Sequence, residues 1–507
     1  MINNFIHHNY RKAIIVFMSL TTKIKSEWKW ILGFFLVSVV FVTIFSFTTS
    51  PLYNYFGCDQ EIFRMLGRMT KKGFIPYKEF FDHKGPVTIT FQWIGCLISE
   101  KRIGILTVQA FCVFFSLCLT YKLFLLKYSK KLSLGLTAVI LLTLRFFYGG
   151  GNSVEEFCLP FLLLSSYCFC KFCIKDKKDS LEHSVKYSVI YGITIAVCMY
   201  TRLTNVFPVL AILLVGVIYL IKNRLWKNLL FNALGTIGGI VIISLPYFIY
   251  FYIHGAIYDM LFATFIYNIR HGSDYSQAES TSELIKIIIY MFILVCTMLM
   301  GIYSIRKKKN ELIGYSVVIM SIMGMFMHMK MRFYLHYYII YIPIIIMGLL
   351  CVEGIYKDFK NKQLTIISRV TLMAIVFMMA FTGVKTIIST GDILGVIKDK
   401  EIMEQKNNDM LDIVNDIDKN EDILSYLAPP QFYIITDTYP CYRNFILQDQ
   451  QTRYDAELRE GFEKDLKSLK AKYIVAPKYL KGRYIPFIKQ HYSINKENKR
   501  FILFERK

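Results

Sequence analysis

No internal repeat and no low-complexity segment interrupts the chain of 507 residues, which excludes a solenoid, a propeller or a long disordered tether. Acid is in short supply: 37 Asp+Glu face 60 Lys+Arg, a formal net charge of +23 at pH 7. Charged residues of both signs make up only 19%, too few to clothe a soluble globule of this size. Nor does the basic excess form one continuous face, because it sits in short clusters between apolar runs, and a nucleic-acid-binding role is excluded. A cysteine framework is missing too. Of the 12 cysteines, most lie inside apolar runs (Cys96, Cys112, Cys118, Cys198, Cys296, Cys351), where a thiol is a small hydrophobe. Cys168, Cys170 and Cys173 have metal-like spacing but no His or second pair beside them.

What is present is apolar bulk. Apolar residues reach 54% and aromatics 16%, and the mean hydropathy is +0.40. The chain reads as an all-α polytopic membrane protein with a small α/β domain behind it. A membrane helix needs about 20 mostly apolar residues, and eleven spans are predicted, near 31–49, 103–125, 132–148, 157–174, 187–203, 205–221, 228–252, 284–304, 312–328, 335–352 and 366–388. The first is too long for a signal-peptide core and has no small-residue cleavage site after it, so an uncleaved anchor is expected.

Lys and Arg set the expected orientation. The N-terminal residues 1–30, Lys127/Lys130/Lys131, Lys175–Lys178, Lys222–Lys227, Arg306–Lys309 and Lys357–Lys362 form the basic loops and are placed in the cytoplasm. The long loop 50–102 and the segment 390–507 then fall outside a multi-pass core of 31–389. That alternation requires Pro86–Ile98 not to cross: 13 residues span only about 20 Å as a helix. An interfacial or re-entrant helix is expected there. In the last segment a helix-like stretch, Ile393–Ile417, precedes predicted strands at Phe432–Thr436, Lys472–Ala476 and Phe501–Phe504.

The first external loop carries most of the chemistry. Ile62, Phe63, Leu66 and Met69 recur at helical spacing against Arg64, Arg68, Lys71 and Lys72, which predicts an amphipathic helix lying on the membrane. Asp59 precedes it and reads as an N-cap; a carboxylate there could equally serve as general base for a hydroxyl. Asp82, His83 and Lys84 lie just ahead of the Pro86 helix. Lys84 is suited to hold a phosphate as a point charge, helped by free backbone N–H groups after Pro86. His83 with a carboxylate offers two donors for a divalent metal ion. Glu155 and Glu156, Arg202 with Asn205, and His328, Lys330, Arg332 and His336 stand at other external span ends, where ionisable groups either mark a site or anchor a helix by snorkelling.

A first span, a long external loop with an early Asp, a Gly73-Phe74-Ile75-Pro76-Tyr77 turn and His83-Lys84-Gly85-Pro86 together resemble the GT-C class of membrane glycosyltransferases. The pattern looks most like bacterial relatives of protein O-mannosyltransferases and of the lipid A aminoarabinose transferase. The layout is similar over about residues 30–350, and the specific motifs fall in 55–90. Where that family often has Asp-Glu and a Glu before the Lys, this chain has Asp59-Gln60-Glu61 and His83. The resemblance implies an enzyme that moves a hexosyl or pentosyl group from a polyprenyl-phosphate donor to an external acceptor, with Asp59 activating the acceptor, Lys84 on the carrier phosphate and Glu155 or Glu156 as the second acid. Expected substrate contacts are Asp82, His83, Lys84, Glu155, Glu156, Arg202, Arg332 and His336. Expected partners are that lipid-linked donor, membrane lipid, and a cell-envelope polymer, glycolipid or protein hydroxyl, with no nucleic acid. A transporter or flippase of lipid-linked saccharide is the rival, although no inverted repeat supports it. A surface-polysaccharide polymerase or ligase would carry its main external loop late in the bundle, whereas here it comes first.

Overall fold

A computed structural model describes residues 27–53, 55–271, 281–328, 334–355, 400–479 and 481–507, with 365–366, 368–373, 375–377 and 397 between. Helix α1 is Glu27–Phe45, followed by α2 Cys58–Lys72, α3 Pro86–Ile98, α4 Arg102–Phe124, α5 Lys130–Phe147, α6 Val154–Ile174, α7 Val185–Met199, α8 Phe207–Lys222 and α9 Trp226–Ile253. Beyond α9 come α10 Ile257–Leu261, α11 Tyr267–His271, α12 Thr281–Arg306, α13 Glu311–His328 and α14 Ile342–Cys351, the last entered through a 3-10 turn at Leu335–Tyr341. Helices occupy the first ten predicted spans. Most of the eleventh, 366–388, lies outside the described residues. Among the described helices, five are both long and apolar enough to cross a bilayer alone, and the chain is a multi-pass membrane protein.

Hydrogen bonds show which loops share a face. Arg102 opens α4 by donating to the carbonyls of Tyr53 and Tyr55, each at 2.6 Å, so α4 starts beside the point where α1 ends. Gly85 and Val87, at the start of α3, donate to the carbonyls of Thr201 and Tyr200 at the end of α7. Both ends of α3 therefore lie on one side of the bundle. Lys78 donates to the His254 carbonyl after α9 at 2.8 Å, and Thr48 to Gly150 at the α5–α6 turn. At the opposite end Lys127 meets Glu353 at 3.3 Å and the Leu350 carbonyl at 2.8 Å.

Helix α2 differs from the expectation. Gly57, not Asp59, occupies its N-cap, and instead of lying on the membrane with its basic face in water, α2 is buried from Glu61 to Met69. Arg64 turns back to Glu61 at 2.7 Å; Arg68 reaches Asp437 at 2.6 Å and the Tyr433 carbonyl at 3.2 Å. The C-terminal segment covers the face that periodicity assigns to solvent. Gly73, at φ 104, ends α2 in the left-handed conformation, its N–H capping Met69 and Thr70.

That segment holds α15 Lys400–Ile413, β1 Ile423–Ser425, α16 Phe432–Ile435, α17 Gln448–Tyr454, α18 Ala456–Lys467, β2 Tyr473–Pro477, α19 Ile485–His491, β3 Tyr492–Glu497 and β4 Phe501–Arg506. The sheet order is β1-β2-β4-β3. β1 pairs β2 in parallel, with Leu424 opposite Ile474, and the other pairs are antiparallel. Phe432–Thr436, predicted as a strand, is helical up to Ile435. Short apolar runs fit either state, and here the Phe432 N–H turns back to the Pro429 carbonyl while Phe432 and Tyr433 are both buried.

Candidate active site

Asp59 stands exposed in the first turn of α2, where the helix dipole favours its charge. Its carboxylate lies within electrostatic reach of Asp82, His336 and Tyr337.

The turn before α3 is held from several sides. Asp82 is buried and accepts from the Lys84 backbone N–H at 2.8 Å, an Asx-type turn. Burial pushes its carboxyl above the usual range, and the Lys84 charge pulls it back. The His83 ring meets the Lys84 ammonium at 2.6 Å through Nε2. Burial first, then Lys84 and Arg202, hold this imidazole well below its ordinary pKa, so it is neutral and accepts from the ammonium. The His83 carbonyl accepts from Asn268 at 2.8 Å and the Lys84 carbonyl from the Tyr77 hydroxyl at 2.7 Å. Lys84 also lies 5.8 Å from the Phe63 ring centre; it has no carboxylate at ion-pair distance among the described residues.

A second group faces it. Glu155, fully buried, pairs with Arg202 at 3.2 Å, and His336 lies 4.0 Å from its other oxygen, which has no hydrogen-bond partner among the described residues. Arg202 lies 3.6 Å over the Tyr337 ring. A small cavity here is lined by Glu155, Arg202, Asn205, Phe207, Tyr337 and Tyr341. The electrostatic influence of Lys84 and Asp59 on His336 links both groups.

Glu156 is set apart. It accepts from Gln109 at 2.9 Å, the Asn152 N–H at 3.0 Å and the Tyr148 hydroxyl. Those bonds brace Gly149, Gly150 and Gly151, all at positive φ, a conformation that glycine adopts freely. Between the two candidates for a second acid, Glu155 alone faces the cluster. Arg332 and Lys330 fall outside the described residues, as does the His328 side chain.

His83 presents its Nε2 to an ammonium, and among the described residues no three of His, Cys, Asp or Glu gather as ligands. That statement covers Cys168, Cys170 and Cys173, which remain free thiols on α6. Sequence reasoning did not single out Tyr337, Asn268 or Arg443. Tyr337 had a signal, being next to His336; Asn268 and Arg443 had none, since only folding brings them near residue 83.

A family model described as the N-terminal domain of the putative competence-induced protein Ccs4 matches residues 20–368. No curated protein matches the sequence. Among solved structures, ArnT from Cupriavidus metallidurans bound to undecaprenyl phosphate superposes with a TM-score of 0.57 at 11% identity, over 94% of this chain and 98% of that one. Its apo state gives 0.58 at 12% identity, with 94% and 98% coverage. Archaeal oligosaccharyltransferase AglB from Archaeoglobus fulgidus, in complex with an inhibitory peptide and a dolichol-phosphate, gives 0.49 at 12% identity, over 90% of this chain and 70% of that one. The fold is that of the GT-C glycosyltransferases.

Proposed function

We propose that this chain, which belongs to the family of the putative competence-induced protein Ccs4 N-terminal domain, transfers a sugar from a polyprenyl-phosphate donor to a cell-envelope acceptor on the outer face of the membrane. The observation that carries the reading is the placement on one face of an exposed carboxylate, Asp59, and an ammonium, Lys84, neither of which has an ion-pair partner among the described residues. A partly buried ammonium without a counter-charge carries a desolvation cost that an anionic ligand relieves. A lipid phosphate does so, and ArnT, which shares the fold, has been seen with undecaprenyl phosphate.

In the proposed reaction Asp59 takes the proton of the acceptor hydroxyl as its oxygen bonds to the anomeric carbon. The bond from that carbon to the phosphate oxygen breaks, and Lys84 stabilises the charge left on the carrier phosphate. One displacement inverts the anomeric centre. Glu155 with Arg202 lines the sugar side. The basic loops at the opposite end support a cytoplasmic N-terminus and an external C-terminal domain 390–507, with the catalytic loop 50–102 beneath it. The acceptor is a polymer, a glycolipid or a protein hydroxyl.

The test supplies a polyprenyl-phosphate-linked sugar and a panel of acceptors to purified protein in one detergent micelle, where translocation has no meaning. Transfer that disappears with Asp59→Asn supports the enzyme. No transfer from any donor, together with lipid flipping in vesicles, establishes the transporter instead.

A further inference from the structure

Arg443 belongs to the C-terminal segment, between α16 and α17, yet its bonds go to the loop that carries Lys84. Its Nε donates to the Tyr77 carbonyl at 2.7 Å, its own carbonyl accepts from the Phe81 N–H at 2.9 Å, and its terminal nitrogen meets Asp259 of α10 at 3.0 Å. The guanidinium lies 5.6 Å from the Phe81 ring centre. One residue thus holds both ends of the 77–81 turn and ties it to α10.

Tyr77 passes this restraint on. It is fully buried at φ 67, a backbone conformation that a bulky residue keeps only when its surroundings impose it. Its hydroxyl donates to the Lys84 carbonyl at 2.7 Å. Within its own loop Lys84 is oriented by the Asp82 turn and the His83 ring. The path Arg443, Tyr77, Lys84 supplies a restraint from outside the loop.

We propose that Arg443 is a positioning residue through which the C-terminal domain sets Lys84 for the donor phosphate, so that donor capture depends on the docked domain. This rests on the reading of Lys84 as the phosphate contact. The fork of Arg443 directs its Nε and a terminal nitrogen to two acceptors in a fixed planar geometry, which the single ammonium of a lysine does not reproduce.

The full-length enzyme in detergent is compared with Arg443→Ala, Arg443→Lys, Tyr77→Phe and, as a control elsewhere in the domain, Arg506→Ala, whose guanidinium bonds only the Leu469 carbonyl among the described residues. A misplacement of the order of 1 Å at a binding group costs up to about 100-fold. The first three variants should raise KM for the lipid donor by roughly tenfold, leave KM for the acceptor unchanged and keep kcat at saturating donor; Arg506→Ala should behave as wild type. A second readout needs no turnover. In a Cys58→Ser background, Lys84→Cys is labelled with an impermeant maleimide, and adding Arg443→Ala should change the labelling rate several-fold. Unchanged labelling and donor KM in Arg443→Ala overturns the proposal, as does an equal rise in both KM values. If Arg443→Ala fails to fold, Tyr77→Phe decides, and a wild-type donor KM there is equally fatal. Should wild type bind no undecaprenyl phosphate while the labelling shift is present, the functional reading fails and the positioning role stands.

Discussion

Asp59 and Glu156 are both carboxylates near the start of a helix, and their surroundings separate their roles. Glu156 is enclosed by donors and holds a glycine turn; Asp59 is exposed, pairs with no side chain among the described residues, and is available to a substrate proton. Asp59→Asn preserves size and removes basicity, so turnover should fall by about 10²–10⁴-fold with unchanged expression and gel-filtration profile. Activity at the wild-type rate in the folded variant removes the general-base role. Glu156→Gln should instead lower the melting temperature by loosening the loop, a loss read by thermal unfolding in detergent.

The His83–Lys84 pair predicts a pH dependence with a definite sign. Since burial holds the folded His83 pKa well below 6.5, the unfolded chain binds a proton that the native state refuses as the pH drops below about 6.5, and stability declines on the acid side. Asp82 acts oppositely: its folded pKa is raised above 3.8, so the native state there keeps a proton the unfolded chain has lost, and its contribution to stability grows as pH falls. His83→Gln should flatten the acid-side loss of melting temperature between about pH 6.5 and 5, while Asp82→Asn should steepen it toward lower pH. Parallel curves for wild type and His83→Gln contradict the assignment. Asp82, His83 and Lys84 were legible because they are consecutive; their neighbours were not, because Tyr267, its ring centre 5.9 Å from that of His83, and Asn268 lie far along the chain.

At the scale of elements, close approach depends on particular glycines. A methyl group on Gly85 would lie 2.2 Å from the Tyr200 carbonyl oxygen, and one on Gly67 2.6 Å from the Gln92 backbone. Neither neighbour is the end of a flexible side chain, so the helices must part. Gly85→Ala should therefore shift the start of α3 and lower both activity and melting temperature, although its φ of −71 suits any residue. A fully active, equally stable Gly85→Ala would show that the α3–α7 contact is looser than described. Helix α9 is held in a similar way: methyls on Gly192 and Gly239 would sit 2.0 Å and 2.1 Å from backbone oxygens across the α7–α9 contact. Hydropathy located these helices to within a few residues, because burial in lipid needs only length and composition. It could not tell that α2 is covered, since its 3.6-residue periodicity marks an apolar face and says nothing of a second partner on the polar one.

For the whole molecule, side assignment follows from how the loops group. Loops at 46–53, 73–85, 148–153, 200–205 and 254–256 meet one another, and the C-terminal domain bonds the 73–85 loop, α2 and α10. If that face is external, a cysteine at Lys467 should react with an impermeant maleimide in intact cells and one at Lys308 should not. Reversed labelling places the site in the cytoplasm and removes the lipid-linked donor expected outside. The short length of Pro86–Ile98 made this grouping legible in advance. The sheet was only half legible: its second and fourth strands were foreseen, whereas β1 is a three-residue strand and β3 is mostly solvent-exposed, so neither carries much of a pattern.

Helix α9, with 28 residues, is about 42 Å long at 1.5 Å per residue, against a hydrocarbon layer of about 30 Å. Trp226 is exposed beside Lys227 and suits the headgroup level at its beginning. Measured from there, about 30 Å of helix ends at Pro246, whose ring leaves the Ile242 carbonyl without its helical donor. Set along the bilayer normal, the helix carries the two turns beyond this proline past the hydrocarbon; there Tyr247 bonds Thr90 of α3 at 2.9 Å, and Tyr252 and Ile253 lie on the surface. Hydrophobic mismatch therefore stations the end of α9 as a post at the height of the polar headgroups. Bilayer thickness becomes a determinant of how far that post, and the Lys78 contact at its tip, stands above the lipid from which a donor would arrive.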